Sequence, residues 1–227
     1  MRASLKNTVV FPVITVPLQT AGSLVLAAVI AELFHNKFGN FVKSSLFVPV
    51  IASAILVGTL WFTLLSPRGV VNSIIHAFGL PSVNWLGGKL TSMLSVCIVS
   101  VWKNVGYFLV IYFAGIMDIP RSLYEAAEVD GANAFQRFFK ITLPGLSSVT
   151  FLVVTLGTIW SFQVFDLVYT MTGGGPGTST VTLVLTTYNA AFKEYNMGYA
   201  SAVAMLMFVF VLAVSGLQKL LLKGGED

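Results

Sequence analysis

The stretch DIPRSLYEAAEVDGANAFQRFFKITLP, residues 118–144, is the longest polar interval in a chain of otherwise apolar segments, and its reading decides the fold. Pro120 suits a first helical turn, where its missing N–H costs nothing. Residues 121–130 have the length for about three turns. Gly131 is placed to end them in the left-handed conformation that glycine adopts without steric cost. Asn133 has a side chain that caps helices, so a second short helix is expected to run to about Lys140, with Pro144 opening the next apolar segment. Helices this short are marginal alone in water. Leu123, Tyr124, Ala126, Ala127 and Val129 are also too apolar for a free loop. The stretch is therefore expected to dock on another protein or on the ends of its own helices. The plainer alternative is a solvated turn between two membrane spans.

Outward from this interval, the composition makes lipid the main solvent. Of 227 residues, 56% are hydrophobic and 10% charged, with a mean hydropathy of +0.86, where soluble domains carry roughly 25% charged residues. A membrane helix needs about 20 apolar residues. Segments of that order fall at 8–31, 44–65, 90–116, 147–171 and 197–222, with the polar interval between the third and fourth. The expected fold is an all-α integral membrane protein of about five transmembrane helices, one domain over 1–227. The net charge of +4 is spread along the chain and does not imply nucleic acid. Cys97 is the single cysteine, so no intrachain disulfide forms. The apolar run after the basic start is too long for a signal core, and no cleavable signal is expected.

Within the spans, the polar residues carry the functional information. In the first span, Ala21, Gly22, Ala27, Ala28 and Ala31 make one side small, which permits close helix packing. Glu32, His35, Lys37 and Lys43 bracket a short loop with interfacial Phe34, Phe38 and Phe41. Pro49 predicts a kink early in the second span, and a short helix over 70–78 is expected to end at Gly79 and Pro81. His76 lies in it and reads as an interfacial histidine. The only other histidine, His35, falls on the opposite side, so no metal site is expected. Lys103 sits near the middle of the third span, where a lysine costs about 2.5–3.5 kcal/mol on insertion scales. Two readings stand: Lys103 faces a wet cavity with Asn104 and Tyr107, or it snorkels to the headgroups. In the fourth span, Trp160, Ser161, Gln163, Phe165 and Asp166 mix aromatic and polar groups. Trp160, Gln163 and Leu167 would share one face of a continuous helix. Aromatic faces with amides, hydroxyls and carboxylates suit a sugar, and helix–helix polar contacts with an aromatic belt are the alternative. Direct pairing of Lys103 with Asp166 is not expected, because they lie about three helical turns apart in depth. The run TGGGPG at 172–177 is a turn and not a phosphate loop, since no Gly-Lys-Ser/Thr follows. The segment after it is too short to cross and reads as a re-entrant or surface helix.

Glu125-Ala126-Ala127, then Gly131, then Ile141-Thr142-Leu143-Pro144 after nine further residues, resembles the EAA motif of permease subunits of binding-protein-dependent ABC importers. The flanking LYEAAEVDGA and FQRFFKITLPGL are similar to the carbohydrate-uptake branch, and the resemblance runs over residues 7–223. It implies a MetI-like permease core in the bacterial inner membrane. In the family the loop is the coupling helix, seated in a groove of a cytoplasmic ATPase. Glu125 is then the polar anchor, Ala126 and Ala127 are small to fit the groove, and Asp130, Gly131, Ile141, Leu143 and Pro144 complete the motif. Lys103, Asn104, Tyr107, Trp160, Ser161, Gln163, Phe165 and Asp166 are the implied substrate path. The implied partners are an ATPase dimer, a second permease subunit, an extracytoplasmic substrate-binding protein, a sugar or related solute, and membrane lipid.

With the EAA loop inside, seven inner basic residues (Lys37, Lys43, Arg121, Arg137, Lys140, Lys219, Lys223) face five outer ones (Arg2, Lys6, Arg68, Lys89, Lys193). The bias has the sign that the positive-inside rule requires, and the N-terminus lies outside. Subunits of this branch carry one more span ahead of the equivalent of 8–31. The chain is expected to be a natural five-span form or one with a truncated start. The residues offer no nucleotide-binding motif, no metal-ligand cluster and no nucleophile–base pair, so no enzyme and no cofactor is expected. The alternative is an ion-coupled secondary carrier, for which Lys103 and Asp166 would be the charges.

Overall fold

The computed structural model describes residues 1–33 and 37–222. Among them the chain is helical, with no strand. The expected loop residues Phe34 and His35, the exit residue Lys223 and the tail 224–227 lie outside the described residues, as do the side chains of Lys37 and Phe38.

Three helices are long and apolar enough to cross a membrane: α1 (Arg2–Leu33), α5 (Lys89–Asp118) and α12 (Met197–Leu222). Two further crossings arise only if bent pairs are counted. The expected single span at 44–65 is two helices, α2 (Lys37–Ile51) and α3 (Ala54–Leu64), whose axes meet at 98°. Pro49 sits in the last turn of α2 and cannot donate to the carbonyl four residues back. The break follows at Ala52 and Ser53.

The expected span at 147–171 is also interrupted. Helix α9 (Ser147–Phe162) stops at Gln163, and α10 (Asp166–Met171) starts after a non-helical Phe165 with φ −133°. The single-face argument for Trp160, Gln163 and Leu167 therefore does not hold: Gln163 is an exposed helix end, and Leu167 is buried in α10.

Helix α5 is the axis of the packing, with α1 along one side and α2 along another. Where α5 crosses α2, a Cβ on Gly106 would lie 2.0 Å from the Leu46 carbonyl oxygen, so only glycine allows the two backbones this close. A similar crossing at Gly58 brings α3 onto Thr170 of α10. Two of the core clusters lie along α5. One cluster gathers Phe11, Met93, Val96, Leu167 and Met171. The other gathers Leu24, Ala27, Phe108, Leu109, Tyr112 and Leu146.

The two ends of α1 define opposite faces. At one end the Asn7 amide donates to the Thr178 and Val181 carbonyls, at 2.8 and 3.0 Å. At the other end Glu32 meets Arg137 of the 118–144 loop. On the first face, α4 (Val70–Ala77) is held by Asn72, whose side chain bonds Val83 N–H and O and accepts from the Trp85 indole. The chain leaves α4 through Gly79, at φ +76°.

Candidate functional site

The 118–144 loop is built as two capped short helices. Pro120 stands at the N-cap of α6 (Arg121–Val129), one position earlier than expected. The end of α6 is a Schellman motif: Ala132 N–H donates to the Ala127 carbonyl at 2.8 Å and Gly131 N–H to Glu128 at 3.0 Å. That geometry needs φ near +75° at Gly131. Asn133 then caps α7 (Ala134–Arg137) in a reciprocal box with Gln136, both bonds at 2.9 Å. The second helix does not stop at Lys140. It widens to a π turn at Phe138–Thr142 and continues as α8 (Leu143–Gly145). Pro144 lies in α8 without an N–H to give, and the wider turn lets Leu143 N–H reach back to the Phe138 carbonyl.

No residue of α6 or α7 is buried. Val129 is 89% exposed and Phe135 72% exposed. Glu125, Ala126, Asp130, Gly131 and Pro144 are exposed, and Ala127, Ile141 and Leu143 are half-buried. Ile141 and Leu143 pack on the Phe108–Leu109–Tyr112 core cluster and anchor the loop, with the Tyr124 hydroxyl 2.9 Å from that of Thr142. Two clefts flank α6. One, about 490 Å³, runs between Asp118, Leu123, Ile141 and Pro144. The other, about 460 Å³, lies between α6 and the end of α1 and is lined by Glu125, Tyr124, Ala28, Glu32 and Arg137. The Arg137 guanidinium donates to both Glu32 and Glu128. These carboxylates, Glu32 foremost, raise its pKa.

The second set of expected residues is not one constellation. The Lys103 ammonium, half-buried, donates to the Val50 carbonyl at 3.3 Å. It satisfies one of the carbonyls that the end of α2 leaves without a helical partner. Its partner at the end of α2 is a contact that neither expected reading named. Asn104 is half-buried beside it. Tyr107 and Trp160 do meet, with ring centroids 4.8 Å apart, and Phe108 packs on both. Ser161 is buried, with its hydroxyl 3.0 Å from that of Thr15 on α1. Phe165 belongs to a different group. It stacks on Tyr169 at 5.3 Å and meets Tyr188 at the end of α11 (Leu183–Tyr188), which leans on Phe192, with the Lys193 ammonium above Tyr169. Asp166 opens α10, half-buried. Both ion pairs among the described residues belong to Arg137, so Lys103 and Asp166 are not paired there. Sequence reasoning missed Tyr169, Arg137's bridge and the Asn72 hub. The i, i+4 spacing of Phe165–Tyr169 and Tyr188–Phe192 was a signal that could have pointed to the second aromatic group.

The chain belongs to the family described as binding-protein-dependent transport system inner membrane component, whose model matches residues 8–224. It is 38% identical to a probable ABC transporter permease protein, YurN, of Bacillus subtilis, covering 99% of this chain and 78% of that one. It is 36% identical to the sulfoquinovosyl glycerol transport system permease protein SmoG of Agrobacterium fabrum, covering 92% and 68%. It is 35% identical to the trehalose/maltose transport system permease protein MalF of Thermococcus litoralis, covering 91% and 69%. Its fold matches a chain in the crystal structure of a bacterial ABC transporter involved in alginate import. The TM-score is 0.90 at 24% identity, over 99% of this chain and 79% of that one. The chain is therefore a multi-pass permease subunit, and the ion-coupled carrier reading is withdrawn.

Proposed function

We propose that this permease sits in the bacterial inner membrane and forms half of the pathway of an ATP-driven sugar importer. The 118–144 loop meets the cytoplasmic ATPase dimer, and a second permease subunit completes the pore. The chain acts as one domain of five crossings, formed by α1, α2 with α3, α5, α9 and α12. The observation that carries the ATPase contact is the uncovered apolar surface of the loop. Val129 and Phe135 project into water from helices too short to stand alone, and a protein partner is what such a surface fits. Glu125, Ala126, Ala127, Asp130 and Gly131 lie on the same exposed stretch, and Ile141, Leu143 and Pro144 seat it on the spans.

Sugar as cargo is supported by the relatives, whose named solutes are a sulfoquinovosyl glycerol and trehalose/maltose. Ring faces at Tyr107 and Trp160, with Lys103, Asn104 and Ser161 nearby along α5 and α9, make up one part of the path. Phe165, Asp166 and Gln163 at the α9–α10 break make up another. A substrate-binding protein delivers the sugar on the face that holds the 66–88 and 172–196 connections.

The experiment is Glu125→Lys in a strain that carries the chain with its ATPase. Expected are loss of ATPase co-purification and loss of labelled-sugar uptake, while the permease remains in the membrane at parental levels. Uptake that persists undiminished in the absence of any ATPase would overturn the reading.

A further inference from the structure

Two of the helices that meet the 118–144 loop are joined to it by the chain itself: α5 enters it at Ile119 and α9 leaves it at Leu146. Helix α1 is not. It faces α6 across the cleft of about 460 Å³, and Arg137 bridges that cleft. One guanidinium nitrogen donates to Glu32 on α1 and another to Glu128 on α6, linking residues 105 apart in sequence. Apolar contacts of Phe138 and Ile141 with the Phe108–Leu109–Tyr112 core cluster lie alongside, but such contacts are non-directional. A guanidinium fork on two carboxylates fixes direction.

The far end of α1 is fastened as well. Asn7 and Thr8 are buried there. Asn7 donates to the Thr178 and Val181 carbonyls, and the Thr8 hydroxyl accepts from Leu183 N–H at 2.9 Å. From Thr8 to Glu32 the helix spans ~36 Å. Pro12 and Pro17 both lie in the half toward the 178–183 loop, so the inner turns keep an unbroken hydrogen-bond ladder.

We propose that α1 is a connecting rod between the two faces: Arg137 passes displacement of the 118–144 loop to α1, and Asn7 and Thr8 pass it to the 178–183 loop. Arg137 is a positioning residue in this scheme, since it acts through Glu32 and Glu128. The inference rests on the reading of the 118–144 loop as the ATPase contact.

The test uses the assembled permease–ATPase complex in lipid nanodiscs. Spin labels are placed at Arg68→Cys and Thr178→Cys, both exposed on the face opposite Arg137. Label separation is measured without nucleotide and after trapping with ATP and vanadate, and trapped nucleotide is counted in the same samples. The parent complex is expected to change separation on trapping. Arg137→Gln, Glu32→Gln and the double variant are expected to trap the same amount of nucleotide and to lose most of the change. The double variant should be no worse than either single one, and Arg137→Lys should recover part of the change. Variants that trap nucleotide and move as fully as the parent overturn the rod alone, and so does a parent that traps nucleotide without moving. A parent that binds no ATPase, or traps nothing, overturns the coupling-loop reading and the rod with it.

Discussion

Helices α5 and α12 look alike as strings of apolar residues, and α12 is the more apolar. Yet half of the most apolar stretch of α5 is buried within the chain, against 11% of that of α12. The buried face of α5 is rich in small and polar groups: Ser92, Ser95, Ser100 and Gly106 stand with Phe108 and Tyr112. In α12 only Ala200 and Val203 are buried among the described residues. In lipid, apolarity says that a segment is immersed, and it does not say what the segment touches. Close packing is signalled by residues small enough to let backbones meet.

Paired substitutions on the two helices test this contrast. The largest effect is expected from Gly106→Leu. Its Cβ would fall on the Leu46 carbonyl oxygen at 2.0 Å and near the Phe47 Cα at 3.1 Å, main-chain atoms that cannot rotate aside. A destabilisation of about 4 kcal/mol or more is expected, read as loss of monodisperse purified protein. Next comes Phe108→Ala, which empties a fully buried site against Tyr107 and Trp160 and should cost about 3 kcal/mol in an unfolding titration. The smallest effects belong to α12. Phe208→Ala removes an exposed ring, and Gly216→Leu adds a side chain where no atom lies within 4 Å. Each should change stability of the isolated subunit by no more than about 0.5 kcal/mol. A large loss from Gly216→Leu would break the contrast. Equal losses from Phe108→Ala and Phe208→Ala would do so as well.

The same contrast explains how much of the molecule was legible in the sequence. The loop was readable because water imposes local chemistry on it: the chain reversal needs Gly131, and the helix start needs Asn133. The burial of α1 was legible only in part: Ala27, Ala28 and Ala31 of the expected small-residue side pack on the core, while Ala21 is exposed. Phe11, Thr15, Gln19, Ser23, Ala27 and Ile30 form a regular inward stripe, while Val9, Val13, Leu18, Val25 and Val29 face outward. The inward stripe carries Thr15, Gln19 and Ser23 at i, i+4 spacing against an all-aliphatic outward face, a contrast in polarity that the small-residue reading left unused. The α9–α10 break was silent, because WSFQVFDL holds neither proline nor glycine. Arg137 was counted only as a basic residue of an inner loop, since its partner Glu32 lies 105 positions away. Lys103 drew attention for its charge, but its partner is a main-chain carbonyl exposed by a bend that sequence placed only as a kink at Pro49.

That bend has a bearing on how the protein is made. The 98° corner between α2 and α3 leaves the Val50 carbonyl to be met by an ammonium group that emerges from the ribosome some fifty residues later. Gly106, which lets α5 approach the backbone of α2, arrives with the same helix. Residues 37–64 thus enter the bilayer before either of these partners on α5. The corner's contacts with α5 form only after that helix has been delivered.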